Sequence, residues 1–149
     1  ARNAKAIAVS VDSVKDHLRW VPDIAEVAGV DVDFPIIADE DRSVSQAYDM
    51  IHPGEGDTST VRSVFLIDPS NTVRLTITYP KSVGRNFTEI LRALDALQAT
   101  DRSPISTPAE WVPGDRVIVA PAIATDDARE RFANVDEVKP YLRFADAPA

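Results

Sequence analysis

Two arginines occupy positions at which the predicted local structure does not favour a positive charge. Arg62 lies at the start of the apolar run 61–67, where strand alternation places it on the same face as Val64 and Leu66. A guanidinium on a core-facing position needs an anionic partner, whereas one at the frayed start of a strand reaches water. The residues alone leave both interpretations open.

The second arginine, Arg85, directly precedes a predicted helix. Asn86 is expected to cap that helix, with Glu89 as its capping-box partner three residues later. A cation just ahead of a helix N-terminus is unfavourable unless an anion is bound there. Two arginines and free helix amides would hold a carboxylate or a thiolate, and the alternative is a solvated arginine.

Composition excludes several other kinds of chemistry. The 149 residues contain no cysteine and two histidines, His17 and His52. Disulfides, thiolate metal sites and cysteine nucleophiles are therefore absent from this chain, and no metal or cofactor is expected. His17 is predicted to be exposed in the first turn of a helix, and His52 to lie in a loop. The net charge of −8 argues against nucleic acid and anionic membranes as partners.

The first hundred residues alternate between strand and helix patterns. The predicted order is β-α-β-α-β-β-α, with Pro22 breaking or kinking the first helix into two pieces and a polar loop over 49–60. Apolar positions on one face make the last helix the clearest of these predictions. Two parallel crossovers followed by an antiparallel hairpin and a helix predict an α/β fold like the C-terminal part of a thioredoxin-like fold. The strands are predicted at 5–11, 34–37, 61–67 and 73–79.

Proline density indicates a division near residue 100. Six of the eleven prolines fall after residue 100, and residues 101–104 read as a linker. In the segment after residue 100, the sequence predicts strands at 116–119 and 141–144 and, between them, a helix at 125–132. This segment is too short for a core of its own, so it should dock on the first part or on a partner chain, with Trp111 as an anchor.

Several segments spread over nearly the whole chain share the pattern of one known family. They are Ile7-Ala8-Val9-Ser10-Val11-Asp12-Ser13-Val14, Phe34-Pro35-Ile36-Ile37-Ala38-Asp39, Val61-Arg62-Ser63-Val64-Phe65, Tyr79-Pro80, Gly84-Arg85-Asn86-Phe87, Thr107-Pro108-Ala109-Glu110-Trp111 and Lys139-Pro140-Tyr141-Leu142-Arg143. Together these segments resemble the one-cysteine, peroxiredoxin 6-like peroxiredoxins. The last two match the second domain, which separates this subfamily from shorter peroxiredoxins.

The resemblance implies a thioredoxin-like peroxiredoxin domain over 1–100, incomplete at its N-terminus, and a small α+β C-terminal domain over 101–149. In this family a cysteine in a Pro-x-x-x-Thr-x-x-Cys run, upstream of the matched segment, attacks the peroxide and becomes a sulfenic acid. Arg62 matches the arginine beside that cysteine, and Arg85 matches a second active-site arginine. The implied activity is that of a thiol-dependent peroxidase for hydrogen peroxide and organic hydroperoxides in antioxidant defence. This chain alone is expected to be inactive.

The resemblance also implies partners and a location. We expect a peroxide substrate, an external thiol reductant, and a homodimer or higher homo-oligomer that pairs through the strand at 73–79. The expected location is the cytoplasm. The alternative is a non-catalytic, thioredoxin-like interaction or dimerisation module. In the family, the strand that leads toward the catalytic cysteine lies between the strands that match 5–11 and 61–67. Because that strand is not in this sequence, the strand pair 5–11 and 34–37 is expected to stay separate from the pair 61–67 and 73–79.

Overall fold

The structure, a computed structural model, describes residues 2–51 and 60–148. The chain forms two compact units, each built from two stretches of sequence. The first comprises Ala1–Phe65 and Leu75–Arg85, and the second comprises Leu66–Arg74 and Asn86–Ala149. The domain division predicted near residue 100 stays a prediction. Most of the polar loop predicted over 49–60, including His52, lies outside the described residues.

Eight strands and four helices are formed by the described residues. Up to residue 102 they follow the predicted β-α-β-α-β-β-α order, which confirms the α/β fold class. The elements are β1 Ala8–Ser10, α1 Val14–Ala28, β2 Ile36–Ala38, α2 Ser43–Ala47, β3 Arg62–Ile67, β4 Val73–Tyr79, α3 Phe87–Arg102, β5 Ile105–Ser106, β6 Val117–Val119, α4 Thr125–Arg131, β7 Asp136–Lys139 and β8 Leu142–Ala145.

The first four strands form two separate two-stranded sheets. β1 pairs with β2 in parallel, with Ala8 opposite Ile36 and Ser10 opposite Ala38. β3 pairs with β4, and a connection as short as residues 68–72 requires the two strands to run antiparallel. These are the two strand pairs that the sequence predicted.

Helix α1 is longer and more regular than the sequence predicted. Ser13 caps it, because its hydroxyl oxygen accepts from the backbone N–H of Asp16 at 3.1 Å, and Gly29 ends it at φ 67°. The prediction of two helical pieces divided at Pro22 is wrong, since one helix runs through it. A proline inside a helix costs about 3 kcal/mol, whereas a break there would forfeit the helical hydrogen bonds of the residues that follow.

The second unit contains a four-stranded antiparallel sheet in the order β5-β6-β8-β7. Its core is one cluster that includes fully buried Val117, Val119 and Ala145. Trp111 belongs to this cluster and is 4% exposed, so the predicted anchor residue is a core residue of this unit. All buried members of the cluster lie between residues 105 and 145, so the expectation that the segment after residue 100 has no core of its own is wrong. Its indole Nε1 donates to the carbonyl of Asp115 at 3.1 Å.

Apolar side chains are much less well covered in the first unit. Among its described residues, Met50 and Val61 are the buried hydrophobic side chains, while Leu18 and Val27 of α1 are 74% and 89% exposed. None of the described helices is long and apolar enough to cross a membrane.

Candidate functional site

Arg62 is the first residue of β3, and its side chain is exposed. Because β3 and β4 run antiparallel, the start of β3 and the end of β4 lie at the same end of the hairpin. The side chains of Ser63 and Thr78 mark that end with a hydrogen bond of 3.1 Å between their hydroxyl oxygens. Val64 and Leu66, which share the face of Arg62 by alternation, are both half-buried.

Arg85 lies in the segment that leads from β4 to α3. A turn follows β4, in which the N–H of Val83 donates to the carbonyl of Pro80 at 2.9 Å. Arg85 comes next in the chain after Gly84, is exposed, and directly precedes Asn86, the N-cap of α3. The cap is as predicted, since the side-chain oxygen of Asn86 accepts from the N–H of Glu89 at 3.2 Å.

Both arginines belong to the first compact unit. Within residues 2–51 and 60–148, no hydrogen bond or ion pair engages the guanidinium of Arg62 or Arg85. Free guanidiniums are suited to binding a thiolate, a peroxide oxygen or a carboxylate, because they offer several N–H donors in a fixed plane. The described part of the chain gathers no group of three or more His, Cys, Asp or Glu side chains that could hold a metal.

Asp39 shows how the first unit positions a short helix. Its carboxylate is 2% exposed and accepts from the N–H of Val44 at 2.9 Å and the N–H of Ser45 at 2.7 Å. The hydroxyl of Ser45 donates to it at 2.6 Å. Burial raises the pKa of the Asp39 carboxyl, but these hydrogen bonds outweigh burial and hold that pKa below its usual value. Asp39 therefore caps α2 from outside the helix.

His17 was expected to be exposed, and that prediction is wrong. The side chain is 6% exposed, and its ring packs edge-on against Trp20 with 5.2 Å between centroids. The position of His17 in the first turn of α1 gave no signal of burial, because burial depends on what the helix packs against. Its Nε2 has no hydrogen-bond partner among the described residues.

Arg143 is a second residue that the sequence reasoning missed. It is 1% exposed, and its guanidinium donates to the carbonyls of Ile123 and Ala120. It thereby fixes the turn between β6 and α4. The alternation of residues in β8 could have predicted the burial of Arg143, since Arg143 shares the inward face of that strand with Ala145.

Comparison with known proteins identifies the family. Residues 1–76 match the AhpC/TSA family, and residues 96–134 match the C-terminal domain of 1-Cys peroxiredoxin. The chain therefore belongs to the AhpC/TSA family, and the resemblance to one-cysteine peroxiredoxins drawn from the sequence is confirmed. The two matches together cover most of the chain.

The similar proteins are peroxiredoxins. The chain is 50% identical to the 1-Cys peroxiredoxin of Dictyostelium discoideum over 148 residues, which are 99% of this chain and 61% of that protein. It is 47% identical to the mitochondrial peroxiredoxin PRX1 of Saccharomyces cerevisiae, covering 96% of this chain and 58% of the relative. The chain thus spans less than two thirds of the length of these relatives.

Solved structures confirm the thioredoxin-like peroxiredoxin fold. A yeast mitochondrial 1-Cys peroxiredoxin matches with a TM-score of 0.88 and 46% identity, over 97% of this chain and 71% of that one. A mutant of peroxiredoxin 6 from Arenicola marina matches with a TM-score of 0.90 and 41% identity, over 99% and 72% of the two chains.

The same comparisons contradict the expected cytoplasmic location. Two of the similar proteins named above, the yeast PRX1 and the yeast 1-Cys peroxiredoxin of known structure, are mitochondrial. A compartment is specified by a targeting segment rather than by the folded domain, so the composition of residues 1–149 held no information on it.

Proposed function

We propose that the whole protein is a thiol-dependent peroxidase that reduces hydrogen peroxide and organic hydroperoxides, with its reacting cysteine outside the 149 residues of this chain. The observation that carries the proposal is the pair of exposed arginines in a chain of the AhpC/TSA family. Within the described residues, the guanidiniums of Arg62 and Arg85 have no anionic partner. A cysteine thiolate would supply the missing anion.

The reaction proceeds in two steps. The thiolate sulfur attacks one peroxide oxygen, the O–O bond breaks, and the second oxygen leaves as water or alcohol after it takes up a proton. The cysteine is thereby oxidised to a sulfenic acid. An external thiol then attacks the sulfenic sulfur and displaces water, and a second thiol reduces the resulting mixed disulfide to restore the cysteine.

In this proposal Arg62 is the catalytic arginine. Its guanidinium lowers the pKa of the thiol by favouring the thiolate, and its N–H donors stabilise the negative charge that develops on the leaving oxygen. Arg85 supports that arrangement from the segment ahead of α3. For the yeast relative, the resolving thiol comes from glutathione/thioredoxin systems, which supports an external thiol reductant here.

We further propose a homodimer and the domain division at residue 100. β4 has one partner among the described strands, β3, so its other edge is open. Arg74 is the one charged residue of β4, and its guanidinium is engaged by Asp101 at 2.9 Å and by Asp68 at 3.4 Å. An open edge with so little charge is poorly protected against pairing with a second copy. The matches to residues 1–76 and 96–134 support two domains.

The test is Arg62→Ala in the full-length protein. Loss of a positioned donor to a developing oxyanion costs about 3 kcal/mol, or roughly 100-fold in the rate of peroxide reduction. Stopped-flow measurement of cysteine oxidation reports that rate. The matched control is Arg19→Ala, because Arg19 is an 81% exposed arginine of α1 in a weak 3.6 Å pair with Asp16.

The control variant should react within twofold of the wild type. The 149-residue chain, which has no cysteine, serves as the blank and should consume no peroxide. A rate for Arg62→Ala within threefold of the wild type would show that Arg62 is only a strand-end arginine. Absence of turnover in the full-length protein would favour the alternative, a non-catalytic interaction module.

A further inference from the structure

Arg92 forms a salt bridge within the first turns of α3 and a hydrogen bond to a distant part of the sequence. The Glu89 carboxylate accepts two hydrogen bonds from Arg92, from Nε at 2.6 Å and from Nη2 at 2.8 Å. The remaining guanidinium nitrogen of Arg92, Nη1, donates to the backbone carbonyl of Trp111 at 3.2 Å. One side chain therefore joins the start of α3 to the segment around residue 111.

The position of Trp111, whose carbonyl accepts from Arg92, is fixed by several contacts. The indole is buried in the core cluster of the second unit, and its Nε1 donates to the carbonyl of Asp115. The N–H of Trp111 donates to the carbonyl of Pro108 at 3.3 Å, and the N–H of Val112 donates to the Asp115 carboxylate at 3.0 Å. Core packing and two hydrogen bonds of its own thus hold Trp111, and a third hydrogen bond holds the next residue, Val112.

The ion pair between Glu89 and Arg92 also stabilises the charged form of each partner. The hydrogen bonds from Arg92 lower the pKa of the Glu89 carboxyl, and those to Glu89 raise the pKa of the Arg92 guanidinium. Both groups are therefore fully charged near neutral pH. A two-point contact between a guanidinium and a carboxylate fixes orientation as well as distance.

Glu89 also belongs to the cap of α3, since its N–H donates to the Asn86 side chain. Arg85 is the residue before that cap. Its guanidinium has no partner among the described residues, and its backbone is joined directly to the Asn86 cap. The contacts of Arg92 reach this backbone through Glu89 and Asn86.

We propose that Arg92 is a positioning residue for the peroxidase reaction, because it holds the start of α3, to which the backbone of Arg85 is joined. The inference rests on the proposed function, in which Arg85 supports the reacting thiolate.

The experiment compares Arg92→Met with Arg129→Met in the full-length protein. Arg129 is a suitable control because it also pairs with a carboxylate three residues earlier in a helix, Asp126 at 3.3 Å, but its side chain is 57% exposed. Misplacement of an active-site group by about 1 Å can cost up to roughly 100-fold in rate. We expect Arg92→Met to lower the second-order rate constant for peroxide about tenfold, and Arg129→Met to stay within twofold.

A double-mutant cycle separates positioning from a general loss of stability. If Arg92 acts through Arg85, then Arg92→Met will lower the rate no further in an Arg85→Ala background. Equal losses in both backgrounds would overturn the inference, as would an unchanged rate for Arg92→Met in an active enzyme. Absence of turnover in the wild type would overturn the proposed function together with this inference, so the two failures are distinguishable.

Discussion

Trp111 is the residue whose removal should cost the second unit the most stability. Its side chain is 4% exposed and lies in the cluster that contains Val117, Val119 and Phe132. Truncation of a buried aromatic residue to alanine costs about 3–5 kcal/mol, since the burial is lost and a cavity remains. We therefore expect Trp111→Ala to lower the free energy of unfolding by about that amount, a large part of the roughly 5–15 kcal/mol typical of a domain.

Trp111→Phe distinguishes packing from hydrogen bonding. It keeps an aromatic ring in the cluster but removes the Nε1 donor that binds the carbonyl of Asp115 at 3.1 Å. A neutral hydrogen bond contributes about 1 kcal/mol, so this variant should lose about 1–2 kcal/mol once the smaller ring is included. Trp20→Ala is the control, because Trp20 is only half-buried and should lose less than Trp111→Ala.

Urea unfolding of the full-length variants, followed by far-UV circular dichroism, measures these differences. The slope with urea must stay unchanged for the comparison to report stability alone. A loss below about 1 kcal/mol for Trp111→Ala would refute the assignment of Trp111 to the core. Equal losses for Trp111→Phe and Trp111→Ala would show that the hydrogen bond, rather than packing, carries the effect.

Two further predictions concern the first unit and the dimer. Asp39→Asn should destabilise the protein at neutral pH, since an amide places N–H groups against the donors of Ser45. A carboxyl whose pKa is lower in the folded than in the unfolded protein stabilises the fold at pH values above the unfolded pKa. This stabilisation is lost as the pH falls through the folded pKa, so the difference in urea midpoint between Asp39→Asn and the wild type should close below about pH 4. Thr76→Pro should remove a backbone donor from β4 and convert the proposed dimer to a monomer in sedimentation velocity, and an intact dimer would exclude that edge.

Local signals in the sequence were sufficient for some elements. Helix α3 was predicted from its apolar face and the Asn86 cap, and the structure forms it over Phe87–Arg102. Strand β7 was missed, because the residues of Asp136–Lys139 are all exposed and show no apolar alternation. This strand is held by pairing with β8 and by contacts such as that of Arg116 with Asp136 at 3.6 Å. Such contacts depend on residues distant in sequence.

The candidate site shows the same limit. Arg62 and Arg85 were proposed from the sequence because a charge in the wrong local context is visible without a structure. The proposed role of Arg92 was not visible, since one of its acceptors is the backbone carbonyl of a residue nineteen positions away. A spacing of three between Glu89 and Arg92 predicts an ion pair, but it does not predict what the third nitrogen binds.

The uneven burial of the two units connects folding with the proposed chemistry. Two-stranded sheets are only marginally stable alone, and among the described strands β1 pairs only with β2 and β3 only with β4. The first unit carries the exposed apolar side chains of Leu18 and Val27. It also carries Arg62 and Arg85, whose guanidiniums have no partner among the described residues. An element that brings a thiolate to these arginines would therefore also find open strand edges and apolar surface to cover. Formation of the active site and completion of the fold would then be one cooperative event, because the same element would provide the anion and the missing contacts.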